Sequence, residues 1–407
     1  SYAEHFLLPF IEAMRQLGIG AEVIRADQLY KQGAFTEVII TALEHRDHIA
    51  AILHEETGKA VEPTWSPFQP LCQACGRYTQ TRVTGFSATA KTVSYRCACG
   101  GEGEAPMAGG GKLTWRVDWP ARWKILGVTV EPFGKDHASK GGSYDTGKRI
   151  AREVFGIEPP YPIVYEWISL QGQGDMSSSK GNVISINAML EVVPPEVLRY
   201  FILRTAPQKS ITFDPGLPLL RLIDEYDDLE SQERNARAIE LSVIQGIEPV
   251  GVPYRHMVTL VQIAQGDFSR LLTLLQRSGY PVTNEAAIRK RAEYARRWLE
   301  RFAPEEMKFA VQAELPPAVQ ELTPEQRQFL HRLGERLRPG MSGDEIHRLI
   351  YEIKDELQLK PAQAFQAIYV ALLGKTRGPR AGWFLSTLDF AFLRQRLAEA
   401  GTDGEGG

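Results

Sequence analysis

The sequence predicts an α/β domain, interrupted by a small cysteine-bearing β module and followed by an all-helical region. Three observations carry this. Strand-like and helix-like segments alternate between residues 111 and 215, which favours a largely parallel sheet. All four cysteines of the 407-residue chain fall between Cys72 and Cys99, in a stretch rich in Thr, Ser and Gly. From residue 216 onward strand signals cease and helix-start signals recur.

The chain is 43% hydrophobic and 24% charged, the balance of an ordinary globular protein with ample material for a core. A formal charge of −3 announces no polyanionic partner; contact with nucleic acid would have to come from a local basic surface. No apolar run reaches the about 18 residues that a membrane span needs, so none is expected. The opening "SYAEHFLLPF" has neither the basic start nor the cleavage site of a signal peptide. Clustered cysteines in a chain this long point to metal and a cytoplasmic setting, not to a secreted disulfide scaffold.

Residues 1–60 are expected to run helix, strand, helix, helix. "EHFLLPFIEAMRQLG" spaces its apolar residues as a helix does, "AEVIRAD" suggests a short strand, and "FTEVIITALEHRDHIAAILHEETG" is one long amphipathic pattern. Residues 61–110 form the β-rich module, with the glycine run Met107–Leu113 as its exit. Across 111–215, "LTWRVDW", "VTVEPFG", "IVYEWISL" and "NVISI" read as strands; "YDTGKRIAREVFG" and "PEVLRYFILRTA" read as helices. Within 216–400, Thr323-Pro324-Glu325-Gln326 and Ser342-Gly343-Asp344-Glu345 are capping boxes. The second leads into the apolar stripe Ile346, Leu349, Ile350, Ile353, Leu357. "NEAAIRKRAEYARRWLERF" predicts a helix with a strongly basic face, and the tail 401–407 is expected to be disordered.

Cys72-x-x-Cys75 and Cys97-x-Cys99 are each followed by glycine. Two tight turns that each present a pair of thiolates suit tetrahedral zinc, and four sulfur ligands leave no open position for catalysis. The spacing therefore favours structural Zn2+ over free or disulfide-paired cysteines.

Two further regions carry candidate chemistry. "GDMSSSKGN", between strand-like runs, combines permissive glycines with Ser177, Ser178, Ser179 and the cation Lys180. That composition fits a phosphate-binding loop and equally a solvent-facing turn; a Walker motif is absent. "WRVDWPARW" and "EPFGKDHASKGGSYDTG" bring Trp115, Asp118, Trp119, Glu131, Asp136, His137 and Tyr144 close in sequence. A Trp-rich strand is most often core and a lone His most often structural. Here, however, Asp136-His137 follows a hydrophobic strand directly, where open α/β sheets bind ligands. Aromatic faces with carboxylates suit a cationic amine. In the helical region, the basic helix carries Arg291 and Arg297, and a Gly/Pro-bounded loop carries Lys375, Arg377 and Arg380. Both fit phosphate contact, with Trp383 or Phe384 for stacking, or a plain solvated face.

Taken together, these segments resemble class I aminoacyl-tRNA synthetases, and "DMSSSKGN" resembles their KMSKS signature. "SYAEHF", "CQACG…CACG", "WRVDWPARWKILGVTVEPFGKDHASKGGSYDTG", "EWISLQGQGDMSSSKGN" and "LLGKTRGPRAGWFL" are similar, in order, to class I lysine–tRNA ligases of the archaeal type. The resemblance implies an incomplete Rossmann-like catalytic domain, its first half in 1–60 and its second in 111–215. It further implies a zinc-ribbon-like insertion at 61–110 and an all-α anticodon-binding domain at 216–400. The implied reaction is ATP-dependent activation of lysine to lysyl-adenylate, with Mg2+, then transfer to tRNA(Lys) by a cytoplasmic monomer. By position, Trp115 and His137 correspond to the lysine pocket; Asp118, Trp119, Tyr144 and Asp136 to that pocket or the nucleotide. Met176, Ser177, Ser178, Ser179 and Lys180 correspond to ATP contacts, with Ser179 and Lys180 as the groups that act on the phosphates. In one register Asp175 and Ser178 stand where the signature has its lysines; in a shifted one Met176 to Lys180 fill its five places, and in both Lys180 becomes the main cation.

None of the eight histidines lies in the His-x-Gly-His pattern of the family's first signature. Two rival readings are a non-catalytic RNA-binding paralogue and a glutamate- or glutamine-type class I ligase. The expectation from the sequence is a chain truncated at its N-terminus that does not catalyse adenylation alone. Lysine-dependent ATP–pyrophosphate exchange by residues 1–407 would overturn it.

Overall fold

A computed structural model describes residues 2–176, 181–228, 233–248 and 250–402. The chain divides into two compact units, one of residues 20–177 and 205–212, the other of 1–19, 178–204 and 213–407. Of the tail expected to be disordered, 401–407, Gly401 instead ends the last helix and residues 403–407 lie outside the described residues.

Helix α1 (Tyr2–Gln16) belongs to the second unit. The first unit opens with α2 (Ala26–Lys31), α3 (Thr36–Glu44) and α4 (Arg46–Thr57). The expected strand at "AEVIRAD" is absent: Val23 and Ile24 are exposed and pair with no strand among the described residues. The long amphipathic pattern divides at His45 into two helices, as expected. Arg46 turns aside there and donates to the carbonyls of Trp65 (2.6 Å) and Pro63, anchoring the following loop. The break lets Val38, Ile39, Ala42 and Leu43 of α3 and Ile49, Ile52 and Leu53 of α4 enter one core.

Strands β1 (Phe68–Pro70), β2 (Thr81–Ser87), β3 (Thr92–Cys97), β4 (Glu102–Pro106) and β5 (Gly111–Leu113) make the β module. β2-β3-β4 is an antiparallel meander and β1 pairs with β5. The "LTWRVDW" segment corrects the sequence reading. Only Gly111–Leu113 is strand; Trp115–Leu126 is helix α5, closed by the left-handed Gly127 (φ 62°). Its two i,i+4 pairs face different cores: Val117 and Ala121 join α3 and α4, whereas Trp119 and Trp123 join Phe133 and Tyr144.

β6 (Val130–Gly134) and β7 (Tyr161–Tyr165) form the expected parallel pair, Gly134 opposite Tyr165. The crossover between them holds a 3-10 turn (Lys135–Ala138), α6 (Ser143–Arg149) and a π turn (Ile150–Val154), where a single helix was expected. β8 (Ile168–Leu170) lies between β9 (Gly174–Asp175) and β10 (Ile211–Phe213). The expected strand "NVISI" is irregular and leads into α7 (Ile186–Leu190).

The second unit is helical, as the sequence indicates. α8 (Pro195–Leu203) and α9 (Leu217–Asp227) precede helices that include Tyr254–Ala264, Glu285–Arg301, Pro324–Arg336, Gly343–Glu356, Ala381–Thr387 and Phe390–Gly401. Both capping boxes form, and Ile346, Leu349, Ile350 and Ile353 are buried. Gly343–Glu356 and Ala381–Thr387 touch backbone to backbone: a Cβ on Gly382 would sit 2.2 Å from the Gly343 carbonyl oxygen. Gly382→Ala should therefore lower the urea midpoint by the equivalent of about 1–3 kcal/mol, against about 1 kcal/mol for the exposed cap change Ser342→Ala. Equal midpoints for the two variants would contradict this packing.

Candidate functional site

In a parallel pair the carboxyl ends of both strands lie side by side, and here they open a cleft of about 400 Å3. After β6 come Asp136 and His137; after β7 comes Trp167; helix α5 contributes Trp115 and Trp119; Glu131 reaches in from β6 itself. Trp115 and Trp119, one turn apart, stack with ring centroids 5.4 Å apart. The His137 ring lies 6.0 Å from Trp115 and 5.5 Å from Trp119.

Backbone crowding holds His137 in place. A Cβ on Gly142 would lie 2.5 Å from the His137 carbonyl oxygen, and one on Gly141 (φ +70°) would lie 2.4 Å from the Glu56 carbonyl oxygen of α4. Only glycine fits both positions. Arg116 ties this turn to α5, donating to the carbonyls of Gly141 (3.3 Å) and Gly142 (3.0 Å) and to the Thr146 hydroxyl (3.1 Å). The Trp115 indole donates to Ser143 Oγ (3.2 Å) and the Trp119 indole to Glu131 Oε1 (3.0 Å). Lys135, at the mouth, lies 2.5 Å from Glu166 and over the Trp167 ring; hydrogen bonding to Glu166 raises its pKa and keeps the ammonium charged.

Of the residues singled out from sequence, the cleft gathers Trp115, Trp119, Glu131, Asp136 and His137. Tyr144 is buried behind Trp119, its hydroxyl donating to the Pro160 carbonyl (2.8 Å). Asp118, 3% exposed, accepts the Tyr30 hydroxyl (2.5 Å) and pairs with Arg122. It lines a second cavity of about 530 Å3 with Tyr78 and Lys112, and Trp115 borders both spaces. Burial and the Asp118 carboxylate push the Tyr30 hydroxyl strongly upward in pKa. Sequence reasoning had no role for Tyr165 and Trp167. Their signal was available: aromatics two apart at the carboxyl end of a strand destined for a parallel pair.

The Ser/Gly/Lys loop leaves a hairpin. Leu170 faces Gly174 across it, Gly172 (φ +76°) and Gly174 (φ +73°) take left-handed backbone, and the Met176 amide donates to the Ile168 carbonyl (3.3 Å). Ser177, Ser178, Ser179 and Lys180 lie outside the described residues.

The four cysteine sulfurs lie within 4.8 Å of one another, with Cys72–Cys99 and Cys75–Cys97 each 3.7 Å apart. Disulfides would need about 2.05 Å. The edge of a tetrahedron with zinc–sulfur bonds of about 2.3 Å is about 3.8 Å, so these thiols can hold a metal. Backbone amides of Cys75 and Ala74 face the Cys72 sulfur and, against burial, hold its pKa near about 6. The Cys99 amide lowers Cys97 too, yet burial and the neighbouring sulfurs push it up to about 12. Thiols this crowded cannot all ionise without a cation among them.

Residues 1–244 match the family model of class I tRNA synthetases (K). The chain is 53% identical to lysine–tRNA ligase 1 of Methanosarcina acetivorans, over 99% of this chain and 80% of that protein. It is 48% identical to the lysine–tRNA ligase of Archaeoglobus fulgidus, over 98% and 80%. The chain belongs to the class I lysine–tRNA ligase family. Among solved structures, a glutamate–tRNA ligase from Elizabethkingia meningosepticum aligns over 96% of this chain and 88% of its own, at 12% identity and a TM-score of 0.44.

The helical region of this family member corrects part of the basic-surface reading. Arg291 is buried, pairs with Asp227 and lies 5.5 Å from the Tyr254 ring centroid, so it is a core group. Phe384 is fully buried, and Trp383 packs edge-on against His256, whose pKa burial lowers to about 4. Arg297 pairs with Glu293 on its own helix. Lys375 donates to the Lys308 carbonyl (2.6 Å) and Arg380 pairs with Asp344 (2.9 Å), both at the surface, beside exposed Arg377. No helix among the described residues is long and apolar enough to cross a membrane.

Cys72→Ser should abolish stoichiometric metal and make residues 61–110 sensitive to protease while leaving the aromatic cleft intact. Wild-type protein purified without metal would count against a four-thiolate site.

Proposed function

We infer that this protein is an ATP-dependent lysine–tRNA ligase whose amino-acid site is the cleft between α5, β6 and β7. The observation that carries the reading is the cleft's composition, Trp115, Trp119 and Trp167 with Glu131 and Asp136, in a member of this family. Aromatic faces and carboxylates suit an ammonium-bearing side chain. An acidic or amide side chain would call for a cation or amide donors, which is why the glutamate- or glutamine-type reading is not favoured.

In the first step an oxygen of the lysine carboxylate bonds to the α-phosphorus as the bond to the bridging oxygen breaks. Pyrophosphate leaves with the electron pair, and no proton moves. In the second, a hydroxyl oxygen of the terminal adenosine of tRNA(Lys) bonds to the lysyl carbonyl carbon as that carbon's bond to the phosphate oxygen breaks; AMP leaves with the electron pair and the hydroxyl proton passes to the leaving phosphate or to water. Little here requires a covalent role for a side chain; positioning and charge stabilisation dominate. By resemblance, Met176 to Lys180 hold the triphosphate, which enters as its Mg2+ complex. Lys180 and Ser179 act where charge builds on the leaving group. His137 and Trp115 frame the amino acid, and Asp136 faces the nucleotide side.

Residues 61–110 form a zinc-ribbon-like insertion in which Cys72, Cys75, Cys97 and Cys99 hold a structural Zn2+. Residues 1–60 and 111–215 serve catalysis in a Rossmann-like domain. Residues 216–400 bind tRNA, with the exposed Lys375, Arg377 and Arg380 among the cations that meet its phosphates. The same reading takes the protein as a cytoplasmic monomer.

In protein expressed from the whole reading frame, lysine alone from an amino-acid panel should drive ATP–pyrophosphate exchange. Lys180→Ala should slow that exchange by about 10²–10³-fold with lysine affinity little changed. An unaltered rate would remove Lys180 from the phosphate site, and exchange driven by another amino acid would refute the assignment to lysine.

A further inference from the structure

We propose that Glu131 is the specificity-determining counter-charge for the substrate's side-chain ammonium. The proposal rests on the reading of the cleft as the lysine site. Glu131 sits mid-strand on β6, half-buried, and lines the cleft between the Trp119 indole and the His137 turn. Its Oε1 is spent on the Trp119 indole N–H at 3.0 Å.

Among the described residues no cation pairs with Glu131. The basic groups around it are committed elsewhere: Lys135 to Glu166, Arg116 to the carbonyls of Gly141 and Gly142, and His137 lies 3.6 Å from Asp136. With Oε1 on the Trp119 indole, the second carboxylate oxygen is left for an ammonium placed between the aromatic faces, where cation–π attraction adds to the ion pair. The other carboxylate at the cleft, Asp136, is more exposed and already faces His137, so it is the poorer partner for a side chain that buries itself against tryptophans.

Three tryptophans wall the cleft, so binding can be followed by intrinsic fluorescence without turnover. The probes are lysine and its uncharged near-isostere norleucine. Glu131→Gln keeps an acceptor for the Trp119 indole and removes only the charge. It should weaken lysine by roughly 10- to 100-fold and leave norleucine within about twofold. Trp119→Phe removes the indole donor and keeps the carboxylate. It should preserve the preference for lysine over norleucine even if both bind less tightly.

Equal loss of both ligands in Glu131→Gln, or a lost lysine preference in Trp119→Phe, would make Glu131 a positioning residue only and overturn the proposal. So would unchanged lysine affinity in Glu131→Gln. Should Glu131→Gln fail to fold, judged by its unfolding midpoint, the wild-type and Trp119→Phe arms decide: a lysine preference below about tenfold in either overturns it. Wild-type protein that binds neither amino acid would instead refute the cleft as the lysine site.

Discussion

Helix α5 has to satisfy two cores at once, and the first unit depends on it. Val117 and Ala121 lock into the α3–α4 layer while Trp119 and Trp123, half a turn away, lock onto Phe133 and Tyr144. Because Trp119 is both a core residue and a wall of the cleft, the position of the site is set by the packing that holds the domain together. A tryptophan fixed on several sides cannot rotate away, so the stacked faces of Trp115 and Trp119 are preorganised for a ligand that needs them.

The same economy appears at the carboxyl ends of β6 and β7. Register alone puts Gly134 opposite Tyr165, and from that pairing the Asp136–His137 turn and Trp167 emerge side by side. A Cβ at 134 would meet Asp136 Oδ1 at 2.7 Å, so a side chain there would push that carboxylate aside. Charges are arranged to match. Lys135 is neutralised by Glu166 at the mouth, and Arg116 is consumed by backbone carbonyls, which leaves the interior of the cleft anionic.

What was legible in the sequence was local. The capping boxes at Thr323 and Ser342, the β module with its cysteine pairs and the helical character beyond residue 216 rest on short-range signals, and each is present in the fold. The parallel pair was legible because a helix-like segment separates two strand-like ones. The helix at Trp115–Leu126 was not: Trp115, Val117 and Trp119 alternate like a strand and are β-favouring residues, and only the second pair of contacts, four residues on, reveals the helical period. That two helices fill the long amphipathic pattern was legible, but the place of the break at His45 depends on Arg46 reaching carbonyls at Pro63 and Trp65, and the fate of Arg291 on Asp227, 64 positions away in sequence. Pattern within a window cannot see such partners. In the site, Trp115, Trp119, Glu131, Asp136 and His137 were found because they cluster in sequence. Trp167 was not, because it joins them only through the sheet.

Gly141 shows how narrowly such a site is held in sequence space. The Glu56 carbonyl of α4 occupies the place where its side chain would begin, and its backbone is left-handed. Every amino-acid change at that codon adds at least a methyl group, so no mutational neighbour of the glycine is silent in structure. A lineage that altered this position would have to move α4 or the His137 turn in the same step, and drift at the surface of the cleft is thereby channelled away from the turn that shapes it.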